Sequence, residues 1–424
     1  MPHQVAVTVS APIEPGRGGD LTRLLAQMHE QGAAHNETLP FAKLPGVHFA
    51  RLFVLDGTTD LTGEPLPACL YYLADVDESA ERHLAALITV VGGGADVLFG
   101  HCAGYPAEAA AEHRVAWLRD HLVAPAAIYV HQVGRSVDQV HQESRLRERI
   151  EDFVDEPDAV SPELSAAEAH GRIRSFVLGR DDLRWARWRP RRPGLAFRVR
   201  ETAHLIALPL VALLLAPLLI PATLVALVLI RLAERRDVPD VGPADPERVR
   251  QLEAAEDVIT QNPFTAVGFV KPGRVRTLTM RTVLMGLDYA NRHVYKRDNL
   301  AGVRTIHFAR WVPIEDGRRL IFCSSYDGTL ESYMDDFIDR LAMGLNAVFS
   351  NGVGYPSTRW LIFRGAKDEL AFKNYLRRHQ VPTPVFYSAY DSLPARNIDT
   401  NARLRADLPR ELAEQEAESW LTMV

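Results

Sequence analysis

The chain has 424 residues, 47% of them hydrophobic and 24% charged, with a formal net charge of −6. The length leaves room for roughly two or three domains, and the negative balance argues against general nucleic-acid binding. Cys69, Cys102 and Cys323 are widely spaced, with no CxxC or Cys/His metal pattern, which fits free thiols in a reducing cytoplasm and leaves no metal site to propose.

Residues 1–40 read as a lead-in with a short helix at 21–28, and MPHQVAVTVSAPIEPGRGG lacks the basic start and apolar run of a secretory signal. A first folded unit is expected over 41–147. Its elements are strands at 48–55 and 69–76, a helix at 78–91, a glycine turn at 92–94, a strand through VLFGHC, a helix at 108–121 and a strand at 127–132. The segment 148–203 reads as a linker, acidic and Ser/Pro-containing up to Ala169 and then rich in arginine and tryptophan. A membrane segment at 204–232 follows, then a linker and helix over 233–296, with 262–276 loop-like. The second unit spans 297–408. It reads as strands at 306–313 and 319–324, a helix at 330–345, strands at 346–350 and 358–364, a helix at 367–379 and a strand at 385–390, before a tail at 409–424.

The membrane segment has the strongest signal. Leu205 to Ile230, LIALPLVALLLAPLLIPATLVALVLI, contains no charge. As one straight helix it would run about 39 Å, longer than the ~30 Å hydrocarbon core. Pro209, Pro217 and Pro221 interrupt it, and arginines flank it on both sides. Basic residues stay on the cytoplasmic face, so both flanks being basic suits a re-entrant hairpin that enters and leaves on one side, a single crossing being the alternative. Arg184, Trp185, Arg187, Trp188, Arg189, Arg191 and Arg192 form a headgroup-level patch that would attract anionic lipid at about 1 kcal/mol per charge near the surface.

An internal repeat ties the flanking units together. His48-Phe49-Ala50-Arg51 recurs as His307-Phe308-Ala309-Arg310, and Gly104-Tyr105-Pro106 as Gly354-Tyr355-Pro356. Asp77 precedes Tyr105 by 28 residues and Asp327 precedes Tyr355 by 28. Trp117-Leu118-Arg119-x-His121 recurs as Tyr375-Leu376-Arg377-x-His379, and Tyr129 and Tyr387, like Arg145-Leu146-Arg147 and Arg403-Leu404-Arg405, keep an offset of 258. An ordered series of this kind points to two copies of one domain. If they pack together they share a compartment. The expected class is α+β: two ferredoxin-like repeats forming a pseudo-dimer, both on the cytoplasmic side, joined through the membrane hairpin.

Tandem ferredoxin-like halves resemble the dimeric α+β barrel superfamily, which includes dye-decolourising peroxidases and chlorite dismutases. The residues carrying the resemblance are the repeated HFAR strand and Asp327-Gly328. They stand in Ser324-Ser325-Tyr326-Asp327-Gly328, where the peroxidases have GxxDG. Serine replaces the first glycine, and Glu78 follows Asp77 in the first copy. The resemblance implies a peroxidase-like oxidoreductase with haem as cofactor and Asp327, Arg310 and His307 as catalytic candidates. The chain is also similar to uncharacterised bacterial membrane-associated proteins.

Read residue by residue, the candidates have plainer roles as well. Strand alternation puts His307 and Arg310 on opposite faces unless the strand bulges. Asp77 and Asp327 stand at strand-to-helix junctions, where an N-cap is the simpler expectation. His121 and His379 end helices, where a cationic ring offsets the dipole, and His379 is also the candidate haem ligand. Tyr105 and Tyr355 precede prolines and suit turns. Three functions follow as expectations. The leading one is a membrane-surface binding or accessory protein with an apolar ligand or partner between the repeats. The others are a haem-dependent oxidoreductase for lipid-soluble substrates and a non-catalytic membrane scaffold.

Overall fold

The computed structural model describes residues 4–157, 159–161, 163–188, 194–295, 300 and 302–424. The fold is α+β, with antiparallel sheets. The N-terminal segment belongs to it rather than leading into it. Val5, Val7, Val9 and Ala11 alternate with Ala6, Thr8 and Ser10, and β1 (Val5–Pro12) buries Val7, Val9 and Ala11. Helix α1 (Gly18–Glu30) buries Leu21, Leu25 and Met28 at helical spacing. Strand β2 (Val47–Leu55) follows, then the small ribbon of β3 (Thr58–Thr59) and β4 (Pro65–Leu66), then β5 (Cys69–Val76). CLYYLADV is apolar almost throughout because both faces of β5 are covered.

Ser79 caps α2 (Ala80–Ala86), which runs into a π-helical turn at Leu87–Val91. Gly92, at φ 56°, then turns the chain into α3 (Gly93–Phe99). The strand expected through VLFGHC is therefore mostly the end of a helix. Leu98 and Phe99 are buried there, and a Cβ on Gly94 would collide with the Thr38 carbonyl oxygen. Then come α4 (Ala111–Asp120), β6 (Ala127–Val130), α5 (Val137–Val154) and α6 (Ala166–Gly179). The acidic linker is thus largely helical. Leu146, Ile150, Ile173 and Val177 pack together, and Ser165 and Glu168 form a capping box on α6.

Helices α7 (Leu195–Leu214), α8 (Ala216–Glu234) and α9 (Pro246–Glu253) lead to β7 (Gln261–Phe269), α10 (Arg274–His293), β8 (Ile306–Ile314) and β9 (Arg319–Asp327). Residues 262–276 were expected as loop. Strand β7 carries Pro263 and lies at a sheet edge, where a missing N–H is tolerated. Helix α11 (Leu330–Phe349) absorbs the strand expected at 346–350, since Leu345, Val348 and Phe349 continue its buried stripe. The strand expected at 358–364 is a hairpin of β10 (Thr358–Arg359) and β11 (Phe363–Arg364). After α12 (Glu369–His379), β12 (Val385–Ser388) and α13 (Ala395–Asp407), the C-terminal segment is α14 (Glu414–Leu421) rather than a tail. Its Trp420 is 1% exposed and donates to the Leu404 carbonyl.

One four-stranded sheet has the order β1-β5-β2-β12 and the other β6-β8-β9-β7. Each sheet thus takes one edge strand from the other half of the chain. β12 pairs with β2 through Val385 opposite Leu52, and β6 pairs with β8 through Ala127 opposite Trp311. Facing sides meet through Phe53, Tyr71 and Leu73 on one sheet and Val312, Ile314 and Ile321 on the other. The outer faces carry separate cores beneath the helices.

Burial of His83 on α2 makes acid sensitivity predictable. Its Nε2 lies 2.6 Å from the Tyr72 hydroxyl, and burial lowers its pKa from 6.5 to about 4. A base whose folded pKa is depressed resists protonation while the unfolded chain accepts it. Stability is therefore complete above pH 6.5 and is lost between 6.5 and about 4. The shift corresponds to about 3 kcal/mol. Thermal midpoints recorded across that window should fall less steeply in His83→Leu than in the wild type. Parallel slopes would show that His83 does not drive the acid response.

Candidate functional site

Between the sheets the HFAR strands come together. Both bulge at the histidine: register shifts lie between Val47 and Phe49 on β2 and between Ile306 and Phe308 on β8. The bulge aims each histidine at an aspartate. His48 Nε2 is 2.9 Å from Asp77 Oδ1, and His307 Nε2 is 2.7 Å from Asp327 Oδ1. The second oxygen of each aspartate accepts from the first residue of a helix. Asp77 Oδ2 takes the Val137 N–H of α5 at 2.9 Å, and Asp327 Oδ2 the Ala395 N–H of α13 at 2.7 Å. The aspartates were expected to cap the helices that follow them. Those caps are Ser79 and Thr329, and the aspartates serve distant helices.

The structure thus unites His307 with Asp327 but sends Arg310 elsewhere. Arg310 crosses to the opposite sheet, where it donates to the Val7 and Ala74 carbonyls, the Thr8 hydroxyl and Asp75. Arg51 makes the reciprocal crossing to the Phe264 and Ser324 carbonyls and the Thr265 and Ser325 hydroxyls. The two arginines fasten sheet to sheet. Tyr390, 4% exposed, closes the seam with its hydroxyl 2.9 Å from His48 Nδ1 and its ring against Phe49 and His307. The chemistry here is that of a satisfied polar network. None of its histidines or aspartates lines either of the two cavities described next.

His379 lies apart, on the last turn of α12. Its Nδ1 bonds the Tyr375 carbonyl at 2.8 Å, and burial, partly countered by that bond, lowers its pKa. His121 makes the same bond to the Trp117 carbonyl at 2.7 Å. The cavity beside His379, walled by Gly268, Phe322, Phe349 and Tyr375, measures about 30 Å³. Cofactor sites need ~300 Å³ or more, so a haem does not fit at His379.

A larger cavity, about 520 Å³, opens where the two halves meet. Ser10, Cys69 and Tyr71 line it from the first half, and Met280, Ile314 and Glu315 from the second. Burial raises the pKa of both Cys69 and Tyr71. Both stay protonated at neutral pH, so the wall presents uncharged groups rather than a thiolate, and the Cys69 thiol donates to the Pro67 carbonyl. Glu315 is held by Arg319 at 2.7 Å.

The apolar run forms α7 and α8, broken at Leu215 just before Pro217, which occupies the first turn of α8. No residue of α7 is buried, and in α8 only Ile230 and Glu234 are. Leu213 and Leu214 are 71% exposed and Leu218 68%. Among the described helices, Ala216–Glu234 is long and apolar enough to cross a membrane by itself. Both ends of the run are tied to α10. Near its end, Tyr289 donates to the Leu205 carbonyl at 3.0 Å and His293 bonds His204 at 2.8 Å. Near its start, Arg276 and the preceding Lys271 bind Asp237. Those anchor points lie about 20–25 Å apart along α10, whereas Leu205 to Glu234 as one straight helix would span about 44 Å. The pair therefore bends.

Of the residues expected at a membrane surface, Arg184, Arg187 and Trp188 are exposed, with Arg187 4.8 Å over the Trp188 ring. Trp185 instead packs into the α5/α6/α13/α14 core, with Arg405 4.8 Å over its ring. Arg189, Arg191 and Arg192 lie outside the described residues. The sequence reading missed Asp75, Tyr390 and Glu234. Asp75 and Glu234 could have been flagged as charges within apolar elements, whereas nothing local marks Tyr390. The chain matches no protein-family model, and no curated protein matches it significantly.

Proposed function

We propose that the chain is a membrane-surface binding protein. On this reading it consists of two copies of a ferredoxin-like domain on one side of a bilayer, anchored by a helical hairpin, with an apolar ligand held between them. The single observation that carries the reading is the exposed α7–α8 pair, whose two ends return to one helix of the folded body. An apolar surface of that extent needs a partner, and flanks fixed to the same helix favour entry and exit on one face over a crossing. Arg198, Arg200, Arg235 and Arg236 are exposed at its margins, where anionic headgroups would lie. Matching hydrogen bonds support the duplication: His48–Asp77 with His307–Asp327, Tyr105–Asp96 with Tyr355–Asn346, and the reciprocal crossings of Arg51 and Arg310.

The cavity of about 520 Å³ supports ligand binding over a bare scaffold. Its Met280 and Arg281 belong to α10, the helix that carries the membrane pair. A neutral, largely apolar molecule would suit a wall whose Cys69 and Tyr71 are uncharged and already paired with Pro67 and Ser10. Flotation with anionic vesicles is the test. The full chain should float, and a chain with 205–230 replaced by a short Gly/Ser linker should stay in the dense fraction. Equal flotation of both would refute the anchor. Lipid-soluble material released by denaturing the purified full chain, and absent from a Tyr71→Trp variant, would support the cavity assignment.

A further inference from the structure

We propose that the β10–β11 hairpin is a second lipid-contacting element, holding Trp360 and Phe363 in the headgroup layer beside the base of α8. This rests on the membrane reading above. The hairpin is joined to α8 through Glu234, whose side chain is fully buried. Its Oε1 accepts from the Thr358 hydroxyl at 2.9 Å and the Leu361 N–H at 2.7 Å, and its Oε2 from the Trp360 N–H at 2.9 Å. Glu234 lies one turn beyond Ile230, where the exposed apolar run ends, so the hairpin tip sits at the depth where tryptophan concentrates.

The turn is strained. Trp360 and Leu361 adopt φ of 57° and 64°, a region that non-glycine residues seldom occupy. It is over-determined from both sides. Glu234 holds the tip, and Asn346 of α11 donates to the Ile362 and Arg364 carbonyls at 3.0 and 2.9 Å. Strain fixed in this way marks a conformation kept for what it presents. What it presents is Arg359, Trp360, Phe363, Arg364 and Lys367, all exposed, aromatic and basic interleaved.

The hairpin also lacks a counterpart in the first half. The offset between matching residues is 250 at Gly104 and Gly354 but 258 at Trp117 and Tyr375. The extra residues fall where β10 and β11 form, in the half whose sheet follows the membrane helices. A feature present in one copy alone is not demanded by the shared fold.

The test places nitroxide labels on Phe363→Cys and, separately, Leu218→Cys. Cys102 and Cys323 are buried, and Cys69, which lines the cavity, is replaced by serine, so labelling is directed to the new thiols. Collision with a water-soluble nickel chelate is measured without and with vesicles containing phosphatidylglycerol. The expected result is strong protection at 218 and a several-fold, intermediate protection at 363. Protection at 218 with none at 363 would overturn the hairpin proposal while the anchor stands. No protection at either site would remove both. In the Glu234→Gln background the 363 label should regain solution accessibility while 218 stays protected. Unchanged protection at 363 would overturn the role of Glu234 as the clamp.

Discussion

Arg310→Met should destabilise the protein by about 3–5 kcal/mol, the range for removing one partner of a buried ion pair, and far more than the matching Arg51→Met. The two arginines occupy corresponding places but face different partners. Arg310 is 4% exposed and binds the Asp75 carboxylate, itself 6% exposed. Without the guanidinium, Asp75 is a buried charge short of its partner, and the Val7 and Ala74 carbonyls each lose a donor. Arg51 binds carbonyls and hydroxyls only, and burial lowers its pKa. Its removal abolishes hydrogen bonds to neutral acceptors and leaves no carboxylate unpaired, about 1–2 kcal/mol after the gain from no longer burying a cation. Denaturation midpoints of the two variants in one detergent decide the matter. The double variant Arg310→Met with Asp75→Leu should recover most of the loss, because an apolar pair can replace a buried ionic one. Equal effects of the two single variants would show that the carboxylate is not what sets the cost.

Leu224→Arg should leave the folded body unchanged and weaken vesicle binding about a hundredfold. Leu224 is 60% exposed in α8, so in water an arginine there disturbs no packing. In a bilayer a central arginine costs ~2.5–3.5 kcal/mol, and each 1.4 kcal/mol is about a factor of ten in affinity. Leu61→Arg, at a site 49% exposed in the first half, is the control and should bind vesicles like the wild type. Equal binding by both variants would mean that α8 contacts no hydrocarbon.

The sequence carried the coarse class and the apolar run, because both depend on local composition. His48, Asp77, His307 and Asp327 stood out one by one, but their pairing did not, because the partners sit 29 and 20 residues apart in the two halves. Strand β1 was equally available, since Val5, Val7, Val9 and Ala11 alternate cleanly. β7 was obscured by Pro263, which only its edge position makes harmless. The bulges that bring His48 and His307 to their aspartates are set by pairing with neighbouring strands, and no residue type announces them. Arg310 and Asp75 find each other across 235 positions, a distance no spacing rule covers. At 358–364 an apolar and aromatic run resembles a strand, and two left-handed residues fold it back on itself.

The exchange of edge strands has a consequence during synthesis. β2 is complete at Leu55, but the strand that covers its open edge begins at Val385, 330 residues later. At ~5–20 residues per second the ribosome leaves that edge bare for roughly 15–65 seconds. An uncovered row of strand N–H and C=O groups invites pairing with other chains. During the same interval the apolar α7–α8 run leaves the ribosome. Its early capture by lipid would hold nascent chains in a plane, apart from one another, until β12 arrives to close the first sheet.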